Sequence, residues 1–207
     1  MITISNIIDT GKGRVCIESG FTLNGLKDLK LDSGFTGQSE YRCIYNDIAS
    51  LEQVLNHGGH ISVALSEDKT IVGLSVLDCP DPTQRWARLG EKSLLELKAV
   101  EVMREFRSYK IARCLIADLL SFSKIEQKII YLVGYSWTWD LIYSKMKKQS
   151  YRKMLVDLYS EFGFIEYSTN EPNICLKPEN IFMVRVGKHV PKKTFEKFKW
   201  LRFGLLL

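Results

Sequence analysis

Residues 94–113, LLELKAVEVMREFRSYKIAR, constrain this chain more than any other stretch, because they demand a strand, a turn and a helix in immediate succession. Leu94 to Val102 is apolar and β-branched enough for a buried strand, interrupted only by Glu96, Lys98 and Glu101. From about Ile111 a helical period takes over, with Leu115, Ile116, Leu119 and Leu120 on one side. Between them lie Arg107, Ser108, Tyr109, Lys110, Ile111 and Ala112, whose backbone N–H groups would gather at the start of that helix. Such a start has unpaired donors and the positive end of the helix dipole, which suits a pyrophosphate. An ordinary surface turn with solvated Arg and Lys is the other reading. These residues alone leave both open.

At 207 residues the chain is long enough for one large domain or two small ones. With 45% apolar and 26% charged residues it has a folded, not a disordered, composition. The opening MITISNIID lacks the basic start and long apolar run of a signal peptide, and no window reaches the apolar length of a membrane span. The five cysteines (Cys16, Cys43, Cys79, Cys114, Cys175) are odd in number and widely spaced, which points to reduced thiols and a cytoplasmic location. No Cys or His stands at metal-ligand spacing, so no metal is expected. A net charge of +5 favours an anionic ligand or partner but is too modest to argue for nucleic acid. Neither nucleic acid nor membrane is expected as a partner, and a monomer or weak dimer is the expected state.

Residues 1–47 are poorly legible: Gly11-Lys12-Gly13 reads as a turn before a strand over 14–17, a helical piece follows Asn24, and Ser33 to Gln38 reads as a loop. Ser50 is the expected N-cap of a helix ending near His57-Gly58-Gly59. His60 to Ser66 and Thr70 to Leu77 read as a β-hairpin around Glu67-Asp68-Lys69. After the strand–turn–helix, Ile129 to Gly134 is a third apolar strand that opens into the aromatic loop 135–140. A helix is expected from Ser150, with Met154, Leu155, Leu158 and Phe162 on one side and Gly163 closing it. Strands at 164–167 and 181–186 flank a polar loop, 168–180, and a basic helix over 194–203 lies within the C-terminal stretch 192–207. No repeat or linker composition interrupts the chain, so residues 1–207 read as one domain: a hairpin followed by β-α-β-α-β.

That order, with Val102 to Ala112 and the run Tyr159-Ser160-Glu161-Phe162-Gly163-Phe164, resembles the GNAT N-acetyltransferase superfamily. The resemblance implies an α/β (α+β) fold with a central mixed, largely antiparallel sheet splayed at the cofactor strand and flanked by helices. The superfamily pattern V-x-P-x-[FY]-[RQ]-G-x-G-x-[GA] binds the pyrophosphate of acetyl-CoA. Val102, Phe106, Arg107 and Ala112 match it, while Arg104, Ser108 and Lys110 replace its proline and first two glycines. Glycine allows close approach of backbone to phosphate. Lys110 is therefore expected either to hold an ordinary helical φ with its side chain aside, or to set its ammonium on a phosphate. Val102, Met103, Arg104, Arg107, Ser108, Tyr109, Lys110, Ile111, Ala112 and Arg113 are the implied acetyl-CoA contacts.

A narrower resemblance, to the AcuA family of acetoin-utilisation acetyltransferases, covers about residue 70 to the C-terminus. It rests on Asp81-Pro82, Arg85-Trp86, Glu96 to Arg107, Trp139-Asp140-Leu141, Tyr151-Arg152-Lys153, Arg185 to Lys188, Val190-Pro191 and Leu201-Arg202-Phe203. It implies acetylation, and so inactivation, of acetyl-CoA synthetase by direct attack of a lysine amine on acetyl-CoA in a ternary complex. Such a reaction needs a carboxylate to take the ammonium proton. Glu101 adjoins Val102, and Glu96 stands eleven residues before Arg107, the spacing of the base in the histone-acetyltransferase branch. The two have opposite strand parity, and a bulge in the strand would bring them to one side.

The Val102 N–H is the implied donor to the thioester carbonyl, and Tyr159 matches the position that protonates the departing thiolate. Core packing is the plainer reading of that tyrosine. Trp137, Trp139 and Asp140 would line a lysine tunnel, anchor a partner or fill a core. Arg185, Gly187 and Lys188 form a basic turn that is either solvated or docked to an acidic partner, and Arg42 and Thr169 are loop candidates for substrate contact. Two rivals stay open: a degenerate GNAT module that binds the synthetase or a CoA ester without turnover, and a small-amine acetyltransferase.

Overall fold

The structure, a computed structural model, describes residues 2–35, 43–90 and 93–205. It divides into two units, one running to Asp78 and resuming over Lys98–Phe122, the other made of Cys79–Leu97 and the chain from Ser123 onward.

In the first unit, strands β1 (Thr3–Thr10) and β2 (Gly13–Ser19) form an antiparallel hairpin. A short helix α1 (Leu23–Lys27) and a two-residue strand β3 (Lys30–Leu31) follow. Helix α2 (Ile48–Asn56) is capped by Asp47, whose side chain accepts from Ser50 N–H. Ser50, the expected cap, instead lies inside the first turn and donates its hydroxyl to Asp47 O at 2.7 Å. A carboxylate is the better cap here because it also meets the positive end of the helix dipole.

The expected hairpin is present as β4 (His60–Ser66) and β5 (Thr70–Asp78), antiparallel from His60–Leu77 to Leu65–Ile71. Nearly every residue of both strands is buried, as expected where helices cover a sheet. β2 pairs antiparallel with β4, and β3 lies parallel to β5. Strand β6 (Leu94–Val102) gives its last five residues, Lys98–Val102, to this unit. There Lys98 meets Asp78 at 3.4 Å and Met103 N–H donates to Val72 O at 2.9 Å, so this part of β6 runs opposite to β5. Helix α3 (Ile111–Leu119) buries Ile111, Leu115, Ile116 and Leu119, and its Leu115 carbonyl accepts from the buried Ser75 hydroxyl of β5 at 3.2 Å.

The second unit starts from the first residues of β6, which pair parallel with β7 (Ile129–Gly134) through Leu94–Ile129, Leu95–Ile130 and Glu96–Tyr131. Helices α4 (Leu141–Ser144) and α5 (Lys148–Ser160) come next. α5 begins two residues before Ser150, and none of its residues is fully buried. β8 (Ile165–Glu166) and β9 (Ile181–Val186) are antiparallel, and β9 also pairs antiparallel with β7. The expected polar loop 168–180 contains a single helical turn, α6 (Pro172–Cys175), begun by proline at the position helices tolerate best. α7 (Lys192–Leu201) follows β9.

The core of this unit is aromatic. Trp86 packs on Tyr131, Phe182 and Phe198 with ring centroids 5.0, 5.1 and 6.2 Å away. Beside it Arg85 forms an ion pair with Glu171 at 3.3 Å and donates to Arg202 O, while the Arg202 guanidinium lies over Tyr167. Arg85-Trp86 and Leu201-Arg202, two of the marks of the narrower resemblance, thus hold α7 in place.

Candidate functional site

The strand–turn–helix of the first unit is built as its sequence demands, with one departure. Met103, Phe106 and Ile111 are buried on either side of the turn, leaving Ser108, Tyr109 and Lys110 exposed between two apolar anchors. The Arg107 side chain folds back, its Nε donating to Val102 O at 3.0 Å, and so closes the turn onto the end of β6.

Lys110 does not hold an ordinary helical φ. Its φ is 62° and that of Ser108 is 71°, so the two residues standing where the superfamily has glycine both keep the left-handed backbone that glycine favours. For residues with a Cβ this costs about 1–2 kcal/mol each. The physical reason is anchoring: Phe106 and Ile111 in the core and Arg107 on the strand fix both ends of the turn, and the left-handed residues are what close it.

Lys110 is also the N-cap of α3 and has no side-chain cap hydrogen bond. The first bond of the helix is Cys114 N–H to Lys110 O at 3.2 Å, so the amides of the first turn have no acceptor within the helix. An anion is the natural complement of such a start.

Glu101 ends the strand that leads into this turn. It is 7% exposed, and its Oε1 accepts from Ile44 N–H at 3.4 Å. Burial alternates without a break from Leu95 to Val102, which puts Glu101 in phase with Leu97 and Ala99, and Glu96 in phase with Lys98 and Val100. In the second unit Glu96 lies against the phenol of Tyr131, whose ionisation is pushed up first by burial and then by that carboxylate. Burial also pushes up the thiol of Cys114, with Lys110 opposing, which makes this cysteine a poor nucleophile.

The remaining candidates lie in the second unit. Trp137 stacks on Tyr135 with centroids 4.6 Å apart, carries the Lys177 ammonium over its ring at 4.6 Å, and is 54% exposed. Trp139 and Asp140 are buried, Trp139 against Tyr151 at 5.3 Å, so Trp137 alone of the three faces outward. Tyr159 is half-buried, with its ring edge-on to Phe164 at 6.0 Å.

Thr169 is buried, and its hydroxyl donates to Arg202 O at 2.8 Å, a bond that anchors the end of α7. Arg185 is ion-paired with Glu126, whose other oxygen accepts from Lys188 N–H at 2.9 Å. A Cβ on Gly187 would run into the backbone of Glu126. The 185–188 turn is therefore a clamp on Glu126, and those two bonds hold the Glu126 carboxyl below the usual range. Arg42 lies outside the described residues.

Sequence reasoning missed two contacts beside the cationic turn. Gly11 N–H donates to Tyr109 Oη at 2.9 Å, and Lys12 pairs with Glu105 at 3.4 Å. Both join residues over 90 positions apart, and no local pattern signals them.

No family model matches the chain. It is 31% identical over 200 residues to the acetoin utilization protein AcuA of Bacillus licheniformis, covering 95% of this chain and 92% of that protein. The AcuA of Bacillus subtilis is likewise 31% identical over 199 residues, with the same coverage. Among solved structures, an acetoin utilization protein from Exiguobacterium sibiricum superposes with a TM-score of 0.89 at 29% identity, over 99% of this chain and 95% of the other. A GNAT superfamily phosphinothricin acetyltransferase from Sinorhizobium meliloti, solved with AcCoA, superposes with a TM-score of 0.50 at 14% identity, over 84% and 89% of the two chains, which speaks to the fold alone. The chain belongs to the AcuA family of acetoin utilization proteins and has the fold of the GNAT acetyltransferases.

Proposed function

We propose that this chain is a cytoplasmic protein lysine N-acetyltransferase that uses acetyl-CoA to acetylate and inactivate acetyl-CoA synthetase, its two units working as one domain. The observation that carries the reading is the backbone of Ser108 and Lys110. Both keep the left-handed conformation of the missing glycines, at an uncapped helix start that directly follows the strand bearing Glu101. A chain released from binding a pyrophosphate would have no reason to keep two strained residues there.

In this reading the amides from Ser108 to Arg113 hold the pyrophosphate, with Arg104 and Lys110 adding charge. Glu101 takes a proton from the substrate ammonium, its buried carboxylate at the end of β6 supporting that role. The free amine attacks the thioester carbon, and the Val102 N–H stabilises the oxygen on which charge develops. As the C–S bond breaks the sulfur takes a proton, which the resemblance assigns to the phenol of Tyr159; the second nitrogen proton leaves as the amide forms and restores the phenol. Glu96, held against Tyr131, is the secondary candidate base. The outward ring of Trp137 beside Lys177 favours docking of a protein over enclosure of a small amine.

The test is to incubate the purified protein with acetyl-CoA and acetyl-CoA synthetase and to follow the intact mass of the synthetase. One added acetyl group, with loss of synthetase activity, is expected. Glu101→Gln should slow the addition by about a hundredfold or more, with acetyl-CoA binding retained. Complex formation without any gain in mass would overturn the enzyme in favour of a binding module.

A further inference from the structure

The strained turn has an external brace. Tyr109 stands between the two left-handed residues, Ser108 and Lys110, and its hydroxyl accepts the N–H of Gly11 at 2.9 Å. Gly11 and Lys12 form the tip of the β1–β2 hairpin, and Lys12 also reaches Glu105 on the near side of the same turn at 3.4 Å. The tip is kept tight by its own bonds, since the Thr10 hydroxyl donates to Gly13 O at 2.6 Å and accepts from Lys12 N–H at 3.1 Å. The approach is close: a Cβ on residue 11 would lie 2.7 Å from Tyr109 Oη but 3.9 Å from its Cζ, so the phenol would have to shift away from the Gly11 amide.

We propose that the tip of the N-terminal hairpin is a latch on the phosphate-binding turn: Gly11 and Tyr109 act as positioning residues that hold Ser108 and Lys110 left-handed, and so keep the amides of the turn aimed at the anion. This rests on the cosubstrate reading given above and adds to it the part of the chain that sets the turn's geometry. The physical need is plain. Glycines would hold this conformation unaided, whereas serine and lysine drift toward ordinary φ unless something restrains them. A hydrogen bond from a hairpin fixed to the sheet through β2 is such a restraint. The Lys12–Glu105 pair is exposed on both sides and adds little beyond orientation.

The geometry supplies its own test, a double-mutant cycle on the full chain. Gly11→Ala places a methyl against Tyr109 Oη. Tyr109→Phe removes that oxygen and the hydrogen bond, and leaves room for the methyl. Calorimetric Kd for acetyl-CoA should rise about fivefold in Tyr109→Phe, the worth of one hydrogen bond, and about tenfold in Gly11→Ala. The double variant should bind no more weakly than Tyr109→Phe, because the clash has lost its second partner. Urea midpoints should not move, since the latch orders a turn and supports no core. Single variants that bind within about twofold of wild type, or effects that multiply in the double variant, would overturn the latch.

Should wild type itself bind no acetyl-CoA, the cosubstrate reading fails by that result, and the latch is judged by amide hydrogen exchange at residues 108–112. Faster exchange in both single variants, and no faster in the double than in Tyr109→Phe, sustains it; rates equal to wild type refute it.

Discussion

Arg107–Lys110 and Arg185–Lys188 share the spacing Arg-x-x-Lys, the first a helical turn beyond the end of β6 and the second at the end of β9. In sequence they are hard to tell apart. In the structure the second turn is consumed internally: Arg185 and Lys188 N–H both engage Glu126, and Gly187 brings the two backbones into contact. The first turn has two left-handed residues, three exposed positions in a row, and an uncapped helix behind it. One turn releases its free energy into the fold; the other keeps backbone strain at a helix start without a side-chain cap.

Variants can break or sharpen that contrast. Gly187→Ala should have the largest effect, a loss of about 3 kcal/mol, because its methyl meets backbone and not a movable side chain. Acetyl-CoA affinity should be unchanged, as measured by calorimetry beside urea unfolding. Glu126→Ala should cost about 2 kcal/mol, between the value of an exposed pair and that of a buried one, again with binding intact. A change in acetyl-CoA affinity in either would erase the distinction between the turns.

Lys110→Gly should go the other way, raising stability by about 0.5–1 kcal/mol as left-handed strain is relieved, less the freedom glycine gives the unfolded chain. Acetyl-CoA should bind a few-fold more weakly without the ammonium, so stability and affinity would move in opposite directions.

The smallest effect is in pH. The native Glu126 carboxyl lies below its ordinary value, so its contribution is present above that value and is lost as pH falls through the native one. On acidification below about pH 4, wild type should therefore lose stability faster than Glu126→Gln, by urea midpoint. Equal slopes would mean that the clamp carries no charge linkage.

Most of the fold was legible because its strands are apolar and buried. β4, β6, β7 and β9 have the ends their sequences suggest. β1 was not legible: a bulge between Ile4 and Asn6 shifts its register, so the exposed Ile4 and Ile7 stand at odd spacing in sequence and the alternation that marks a half-buried strand never develops. α4 and α6, four residues each, are too short to show a period.

The site was legible as a motif and illegible as geometry. The strand, turn and helix followed from local pattern. The φ of Lys110 is imposed by what anchors the turn, and the Gly11–Tyr109 bond joins positions 98 residues apart. Thr169 and Arg185 read as free polar residues because their partners, Arg202 O and Glu126, are distant in sequence.

The aromatic packing around Trp86 has a practical corollary. All four tryptophans of the chain, Trp86, Trp137, Trp139 and Trp200, belong to the second unit. Intrinsic emission excited through indole thus watches that half of the polypeptide and is blind to the other. A melting curve recorded this way would report when the aromatic cluster loosens, while the hairpin and the strained turn could open earlier without a trace in the signal.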